Sequence, residues 1–293
     1  MTSPSVVSQV RSFASLVRLS HTVFALPFAL VSLLVATEGS PPGRVLLLVV
    51  LAVVAARTAA MAYNRYRDRD IDAANPRTAN REIPRGVVTP AAALGLTIVA
   101  SGCFCVCSGL LGPACGWLAP IALLWLLGYS HAKRFSSLCH LWLGVALGLA
   151  PLAAWLAADG EWSQRLLAPA VLGVAVALWV AGFDVLYACQ DEAFDRAFGL
   201  HSLPARLGAA RAMWISRGCH LVAAVGFAVF GCLASLGVGW YCGVVVAAAL
   251  LVVQHRLLRP TDLARIQAAF FTANGAIAVL LLVAAMGDLY LLR

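Results

Sequence analysis

Residues 166–195 read LLAPAVLGVAVALWVAGFDVLYACQDEAFD and combine a long apolar run with a cluster of acidic residues. The first 18 residues contain no charged side chain, whereas four of the next 12 are acidic: Asp184, Asp191, Glu192 and Asp195. A helix needs ~20 mostly apolar residues to cross a bilayer. Asp184 directly follows the apolar run, and carboxylates at membrane depth are functional by default. This stretch therefore predicts a membrane-spanning helix whose end carries a polar site.

The rest of the chain repeats this apolar pattern. Of its 293 residues, 62% are hydrophobic and only 12% are charged, and the mean hydropathy is +0.88. A soluble domain of this size would need more charge to cover its surface. We predict an all-α bundle of about nine transmembrane helices, near residues 20–37, 44–63, 91–111, 114–130, 138–157, 166–188, 212–235, 238–254 and 269–290. Because no linker or low-complexity tract interrupts it, residues 1–293 are expected to form a single domain.

Basic residues predict how the bundle is oriented. With nine spans, residues 1–19 and the loops after the even-numbered spans share one side of the membrane. That side, with the helix ends that flank it, holds all of the 21 Lys and Arg residues except Arg44, Arg165 and Arg293. The positive-inside rule places it, and the N-terminus, in the cytoplasm. Topology thus explains the +8 net charge, and we expect no nucleic-acid partner. The polar, basic N-terminus does not resemble a cleavable signal.

The nine Cys residues predict neither disulfides nor a metal site. Cys103, Cys105 and Cys107 are spaced i, i+2, i+4 in an apolar run, and residues two apart do not share a helix face. No Cys stands near a His at zinc-binding spacing. We interpret the cysteines as small apolar packing residues.

Eight of the 13 acidic residues lie in two short segments, which follow the second and sixth spans. Their spacing places one polar set on one helix face in each segment: Asn64, Asp68 and Asp72 at i, i+4, i+8, and Asp184, Tyr187, Asp191 and Asp195 at i, i+3, i+7, i+11. Both segments follow even-numbered spans, so they are expected to face each other across one cavity. Asp70 and Glu192 fall off these faces and are expected in solvent.

Two facing sets of carboxylates repel each other and favour binding of a cation. Oxygen ligands suit Mg²⁺, which takes one or two carboxylates and completes its shell with water and substrate phosphates. Basic residues near the acids would bind those phosphates: Arg77, Arg81, Arg85, Lys133, Arg134 and Arg206. The sequence therefore predicts a magnesium–diphosphate site. The alternative is that each segment is a solvated, self-paired helix end.

At these residues the chain resembles the UbiA superfamily of intramembrane aromatic prenyltransferases. The two motifs match Asn64-x-x-x-Asp68-x-x-x-Asp72 and Asp184-x-x-Tyr187-x-x-x-Asp191, and three other stretches are also similar to family signatures: Arg18–Pro27, Arg77–Arg81 and Tyr129–Arg134. The resemblance covers essentially the whole chain. Arg65 departs from the family, in which many members carry Asp there.

The resemblance implies a nine-helix bundle with a lateral opening for a lipid tail and a cytoplasmic cap, formed by the loops after the second and sixth spans. It implies two Mg²⁺ ions, one held by Asn64, Asp68 and Asp72, the other by Asp191 and Asp195 with Asp184. Further roles follow the family motifs: Arg77, Arg81, Lys133, Arg134 and Tyr129 on the diphosphate, and Asp191, Asp72 and Tyr187 in catalysis. Asp191 is the candidate general base. Arg18 and His21 are candidates to bind the carboxylate of the acceptor, although Arg18 is equally a membrane anchor.

The implied reaction is transfer of a polyprenyl group from a polyprenyl diphosphate to a phenolic aromatic carboxylate of the 4-hydroxybenzoate type, in quinone biosynthesis. The implied location is the bacterial inner membrane. An alternative acceptor is a dihydroxynaphthoate, as in menaquinone synthesis. A membrane transporter is the rival from another class, but transporters tend to bind substrates at the membrane midplane, whereas these acids cluster at one face. His140 and His220 lie near helix ends in apolar surroundings and are interpreted as packing or interfacial residues.

Overall fold

The fold is all-helical over the residues that the computed structural model describes, 24–160, 164–258 and 272–292. The α-helices are α1 (Leu26–Ala36), α2 (Gly43–Arg67), α3 (Arg69–Ala74), α4 (Pro90–Leu111), α5 (Pro113–Ala132), α6 (Cys139–Asp159), α7 (Leu167–Ala188), α8 (Glu192–Ala197), α9 (Leu203–Leu207), α10 (Ala209–Leu233), α11 (Val238–Leu257) and α12 (Asn274–Tyr290). Short 3₁₀ turns at Gln164–Leu166 and Cys189–Asp191 precede and follow α7.

Seven helices have the length and apolar composition of a membrane span: α2, α4, α5, α6, α7 with its extension to Ala197, α10 and α11. They coincide with the seven central predicted spans. The predicted division between the spans 91–111 and 114–130 is confirmed, because α4 ends at Leu111 and α5 begins at Pro113. The shorter apolar helices α1 and α12 lie within the first and last predicted spans, which extend outside the described residues. The count of nine spans therefore stays a prediction.

The long helix α7 lies at the centre of the bundle, with α6 and α10 as its closest neighbours. Its contact with α6 is a glycine seam that brings two backbones together. A Cβ on Gly144 would lie 2.1 Å from the Ala177 carbonyl oxygen, and a Cβ on Gly148 would lie 2.3 Å from that of Gly173. Small residues at such positions let membrane helices approach closely. The seam fixes the height and rotation of the helix that carries the second acidic segment.

An aromatic cluster packs the other side of α7. Trp179 is fully buried and contacts Phe24, Phe28 and Phe183, and Phe28 stacks on Phe227 of α10. Large apolar side chains also cover the outside of the bundle; among the exposed ones are Ile98, Trp117, Leu124, Leu221 and Val245. Such a surface suits a hydrocarbon solvent.

The cysteines are all free thiols, as predicted. Cys139 and Cys189 are buried packing residues, whereas Cys103, Cys232 and Cys242 are exposed on outer helix faces. The interpretation as packing residues is therefore wrong for these three.

Both acidic segments interrupt their helices, which corrects the prediction of two regular helix faces. The break in the first falls at Asp68, between α2 and α3, where the backbone leaves helical geometry at φ −95°, ψ 6°. In the second, α7 ends at Ala188 and a 3₁₀ turn carries Asp191 before α8 begins at Glu192. Asp191 and Asp195 are thereby turned relative to Asp184.

Candidate active site

The two acidic segments meet at one end of the bundle, as predicted from their positions after even-numbered spans. Arg77, in the loop after α3, reaches the carboxylate of Asp191 with two parallel hydrogen bonds, Nε–Oδ1 2.8 Å and Nη2–Oδ2 2.5 Å. Asn75 Nδ2 donates a third to Asp191 Oδ1 at 3.1 Å. Arg77 Nη1 also donates to the Tyr187 hydroxyl at 2.9 Å. The loops after the second and sixth predicted spans are therefore in direct contact.

Every other predicted metal-binding carboxylate of the two segments also has a basic partner. Three of these pairs use the predicted diphosphate-binding cations: Arg81 Nη1 with Asp72 Oδ1 (2.6 Å), Lys133 Nζ with Asp195 Oδ1 (2.7 Å) and Arg134 Nη2 with Asp68 Oδ1 (2.8 Å). Asn64 Nδ2 donates to Asp68 Oδ2 at 2.9 Å. The acids and cations thus neutralise one another, which lowers the repulsion expected from the sequence.

Asp184 pairs with a histidine instead. The backbone N–H of Leu203 donates to His140 Nε2 at 3.2 Å, so Nδ1 carries the ring proton and donates to Asp184 Oδ2 at 2.7 Å. His140 is therefore a polar partner of Asp184 and not simply a packing residue. Nothing in the sequence near His140 signals this contact, because the two residues lie 44 positions apart.

Burial and charge shift the acid–base properties of the groups that lie beyond the spans. Burial raises the pKa of the Asp68 carboxyl above its ordinary value, and the guanidinium of Arg134 only partly opposes this. Burial alone would lower the pKa of Arg77, but the hydrogen bonds and charge of Asp191 outweigh it and raise the pKa. Arg77 thus stays charged beside its carboxylate.

A polar cavity of about 160 Å³ lies among these pairs. Acids from both segments line it: Asp68 and Asp72 from the first and Asp184 from the second, together with Asn64, Arg81, Lys133 and Arg134. Asp191 and Asp195 are not among the described residues that line this cavity. Asp191 is enclosed by Arg77 and Asn75, and Asp195 is fully buried beside Lys133.

A larger, mostly apolar cavity of about 300 Å³ adjoins the polar one and runs between α2, α4, α5 and α6. Many small residues form its wall, among them Ala52, Ala56, Ala119, Ala150 and Ala154. Residues that line both cavities define a junction: Asn64, Arg81, Tyr129, Asp184 and Tyr187. A molecule with an apolar chain and an anionic head would place the bond between these parts at the junction.

Arg57 is a functional candidate that the sequence analysis missed. It lines the apolar cavity from within α2, and its buried Nε has no hydrogen-bond partner in the described chain. An ionisable side chain inside a span is a functional signal. The rule that singled out Asp184 would also have found Arg57.

Of the other residues singled out in the sequence, those that the structure describes do not line the polar cavity. Arg18 and His21 lie outside the described residues. Asp70 is exposed, as expected, whereas Glu192 is not simply solvated: its Oε2 accepts the N–H of Ala209 at 2.9 Å at the start of α10.

Two basic residues expected near the phosphates do not line the polar cavity: Arg85 is exposed and Arg206 donates to Ser137 Oγ at 3.3 Å. Arg65, the departure from the family pattern, is buried 4.0 Å from Asp72.

The donor set fits magnesium when a diphosphate is bound with it. In the described part of the chain, no three His, Cys, Asp or Glu side chains converge on one point. A resident structural ion would need such a cluster. Mg²⁺ instead takes few carboxylates and completes its shell with water and phosphate oxygens, and the acids at the polar cavity offer that chemistry.

Comparisons with known proteins identify the family. A model of the UbiA prenyltransferase family matches residues 25–276. The chain belongs to the UbiA prenyltransferase family. The 4-hydroxybenzoate octaprenyltransferase of Aromatoleum aromaticum is 31% identical over 259 residues, covering 85% of this chain and 83% of the relative. That of Nitrosospira multiformis is 32% identical over 242 residues, covering 82% and 81%.

Solved structures of UbiA homologues share the fold. The apo structure of one from Aeropyrum pernix is 33% identical, covers 92% of this chain and 98% of that chain, and has a TM-score of 0.84. One from Archaeoglobus fulgidus, bound to DMAPP and Mg²⁺, is 16% identical, covers 96% and 99%, and has a TM-score of 0.71. This UbiA-family protein is a multi-pass membrane prenyltransferase.

Proposed function

We propose that this protein transfers a polyprenyl group from a polyprenyl diphosphate to a phenolic aromatic carboxylate of the 4-hydroxybenzoate type, with Mg²⁺, in quinone biosynthesis. The names of the curated relatives support the acceptor, and the Archaeoglobus fulgidus homologue bound to DMAPP and Mg²⁺ supports the donor chemistry. The proposed location is the bacterial inner membrane, with the N-terminus and the site in the cytoplasm, as the distribution of basic residues favours.

The observation that carries the proposal is the junction between the two cavities. A polyprenyl chain matches the apolar cavity, and its diphosphate matches the polar cavity with its three cations, Arg81, Lys133 and Arg134. The allylic carbon would then lie among Asn64, Arg81, Tyr129, Asp184 and Tyr187, where its C–O bond breaks. Along α6, the apolar cavity is lined from Leu143 to Leu156, or about 20 Å at 1.5 Å per residue.

The polar cavity would stabilise the leaving group. Arg81, Lys133 and Arg134 line it and would donate to diphosphate oxygens, with Tyr129 at its edge and Arg77 nearby. Asn64, Asp68 and Asp72 are proposed to hold one Mg²⁺, and Asp191 and Asp195 the second. Asp184, which the resemblance adds to the second set, is assigned below to proton transfer instead. When bound, the ions would supply the positive charge that offsets the charge growing on the departing diphosphate.

Arg57 is proposed to bind the carboxylate of the aromatic acceptor. It lies two helical turns before Asn64, or about 10 Å along α2, on the apolar side of the junction. Its guanidinium has no acidic partner among the described residues, so a carboxylate would supply the missing charge. Arg18 and His21 remain proposed partners for the same group.

Asp184 is better placed than Asp191 to accept the proton released from the aromatic ring. The ring carbon would form a C–C bond with the allylic carbon and then lose its proton as aromaticity is restored. Asp184 lines both cavities and is oriented by His140, whereas Asp191 already accepts three hydrogen bonds away from the cavity. A proposed general base must come within hydrogen-bond reach of the proton.

Prenyl transfer by the purified protein in lipid nanodiscs tests the proposal. A polyprenyl diphosphate would be supplied with 4-hydroxybenzoate or a dihydroxynaphthoate, with Mg²⁺ or with excess chelator. We expect prenylated 4-hydroxybenzoate only with Mg²⁺. If only the dihydroxynaphthoate is prenylated, it replaces 4-hydroxybenzoate as the proposed acceptor. Full turnover in excess chelator would exclude a role for Mg²⁺ in the reaction. The comparisons favour neither that acceptor nor a transporter.

A further inference from the structure

The two carboxylate sets differ in their access to the polar cavity. Asp68 and Asp72 line it, although each is paired with a cation. Asp191 and Asp195, the pair proposed to hold the second metal ion, do not line it within the described chain. Arg77 occupies both oxygens of Asp191 and Lys133 lies against the fully buried Asp195. The second carboxylate pair is therefore closed.

A metal ion alone would open this pair at a high cost. It would have to displace a bidentate guanidinium, the strongest common geometry for a carboxylate. It would also leave Arg77 partly buried with no anion, and a desolvated, unpaired charge is strongly unfavourable. Asp191 and Asp195 with Arg77 and Lys133 carry no net charge, so long-range attraction for a divalent cation is weak.

A diphosphate removes this cost because it offers new partners to the displaced cations. The carboxylates would pass to the metal while Arg77 and Lys133 pass to phosphate oxygens, which exchanges partners without stranding a charge. Lys133 already lines the polar cavity, so its amine needs to turn only a short way.

We propose that Arg77 is a latch: it closes Asp191 until a diphosphate draws it away, so that the second divalent cation binds only together with the diphosphate. This inference rests on the proposed function and adds an order of binding to it. The cavity-facing acids accept the first ion and the donor, and the closed pair accepts the second ion afterwards.

The loop that carries Arg77 couples the latch to the rest of the site. In this loop, the Thr78 hydroxyl donates to the backbone oxygen of Asp72 at 3.1 Å, so the latch is anchored on the first acidic segment. Arg77 also holds the hydroxyl of Tyr187, which lines both cavities at the junction. Release of Arg77 would therefore change the junction at the moment the donor is in place.

Binding of Mn²⁺, a paramagnetic substitute for Mg²⁺, tests the latch without turnover. The full chain in nanodiscs would be titrated with Mn²⁺, with and without inorganic pyrophosphate, and bound ion counted by electron paramagnetic resonance. We expect a second Mn²⁺ to bind the wild type only when pyrophosphate is present. Arg77→Ala should raise Mn²⁺ affinity without pyrophosphate by at least about tenfold, because the competing charged hydrogen bonds are gone.

Arg77→Ala should also weaken the joint binding of pyrophosphate and Mn²⁺, because the arginine can then no longer donate to the phosphate oxygens. Arg196→Ala is the matched control, because it removes an exposed i, i+4 pair with Glu192 and should change neither affinity. Two Mn²⁺ ions on the wild type without pyrophosphate would overturn the latch and leave the proposed function standing. Absence of any joint binding of Mn²⁺ and pyrophosphate would overturn both.

Discussion

Arg77 and Asp191 lie 114 residues apart and join the two acidic segments through two parallel hydrogen bonds of 2.8 and 2.5 Å. Arg77, predicted to bind the diphosphate, thus pairs with Asp191, predicted to bind a metal ion. Each of them therefore has to exchange its partner before it can take its proposed role. This relationship makes the charges of the site interdependent, so a substitution at one of them needs a control of the same chemical type elsewhere.

The glycine seam between α6 and α7 should tolerate no added methyl group. Gly144→Ala would place its Cβ 2.1 Å from the backbone oxygen of Ala177, which has no flexible end that could move. Overpacking of this kind costs ~1–3 kcal/mol, and the melting temperature of the purified protein should fall. Gly102→Ala on α4 meets nothing within 4 Å, so it should leave the melting temperature unchanged or raise it slightly. Equal melting temperatures would show that α6 and α7 can separate freely.

The loops that carry the site should share one side of the membrane. Single cysteines near Arg81 and Arg206, in a background without the native cysteines, should react with a reagent added from the cytoplasm. Cysteines near Ser40 and Gly160 should react from the opposite side. The backbone N–H of His201 donates to the Lys133 oxygen at 2.8 Å, so the loop after α8 lies on the same side as the loop after α5. Labelling of the Arg81 and Arg206 positions from opposite sides would contradict the shared site.

Removal of the Arg57 charge should affect the acceptor rather than the donor. In Arg57→Gln, the KM for 4-hydroxybenzoate should rise ~10–100-fold, the effect of losing a hydrogen bond between two charged groups. The KM for the polyprenyl diphosphate should stay near the wild-type value. Arg85→Gln removes an exposed arginine and serves as the control. If the donor KM rises instead, Arg57 serves the diphosphate and the acceptor carboxylate binds elsewhere.

Helical periodicity in the sequence predicts the position of the first acidic set correctly, but it fails for part of the second set. Asn64, Asp68 and Asp72 share a cavity wall because residues four apart lie on one helix face, and the small break at Asp68 does not undo this. The same rule fails for Asp191, since the 3₁₀ turn after Ala188 changes the rotation per residue and no local signal announces that turn.

Contacts between distant segments were beyond any pattern in the sequence. The hydrogen bond from His140 to Asp184 depends on how α6 packs against α7 through the glycine seam. The pairing of each acid with one particular cation depends on the path of the loop after α3. Charge counts alone showed that acids and cations occur together, but not that they neutralise each other in the free protein.

The last prediction distinguishes the acids that bind metal from those that do not, by the same Asp→Asn substitution at three positions. Asp68→Asn and Asp191→Asn keep the side-chain volume and remove the charge that would hold a divalent ion. If each carboxylate coordinates metal in the transition state, its loss should lower the rate of prenyl transfer by at least ~100-fold, or about 3 kcal/mol. Asp70→Asn makes the same change on an exposed side chain, 81% of which is accessible, and should change the rate little.

All three variants should insert and fold, because bilayer and helix packing hold the spans. Asp191→Asn should melt at a lower temperature than the other two, because it leaves the partly buried Arg77 without its anion. Melting temperature and yield therefore check that a lost rate is not a lost fold. The Asp191 variant has a second signature, since the freed Arg77 should weaken the dependence of pyrophosphate binding on the metal. Equal losses of rate in the variants at positions 68, 70 and 191 would mean that the exposure of an acid does not determine whether it binds metal. Near-normal rates in both Asp68→Asn and Asp191→Asn would exclude the two-metal site, whatever holds the diphosphate in its place.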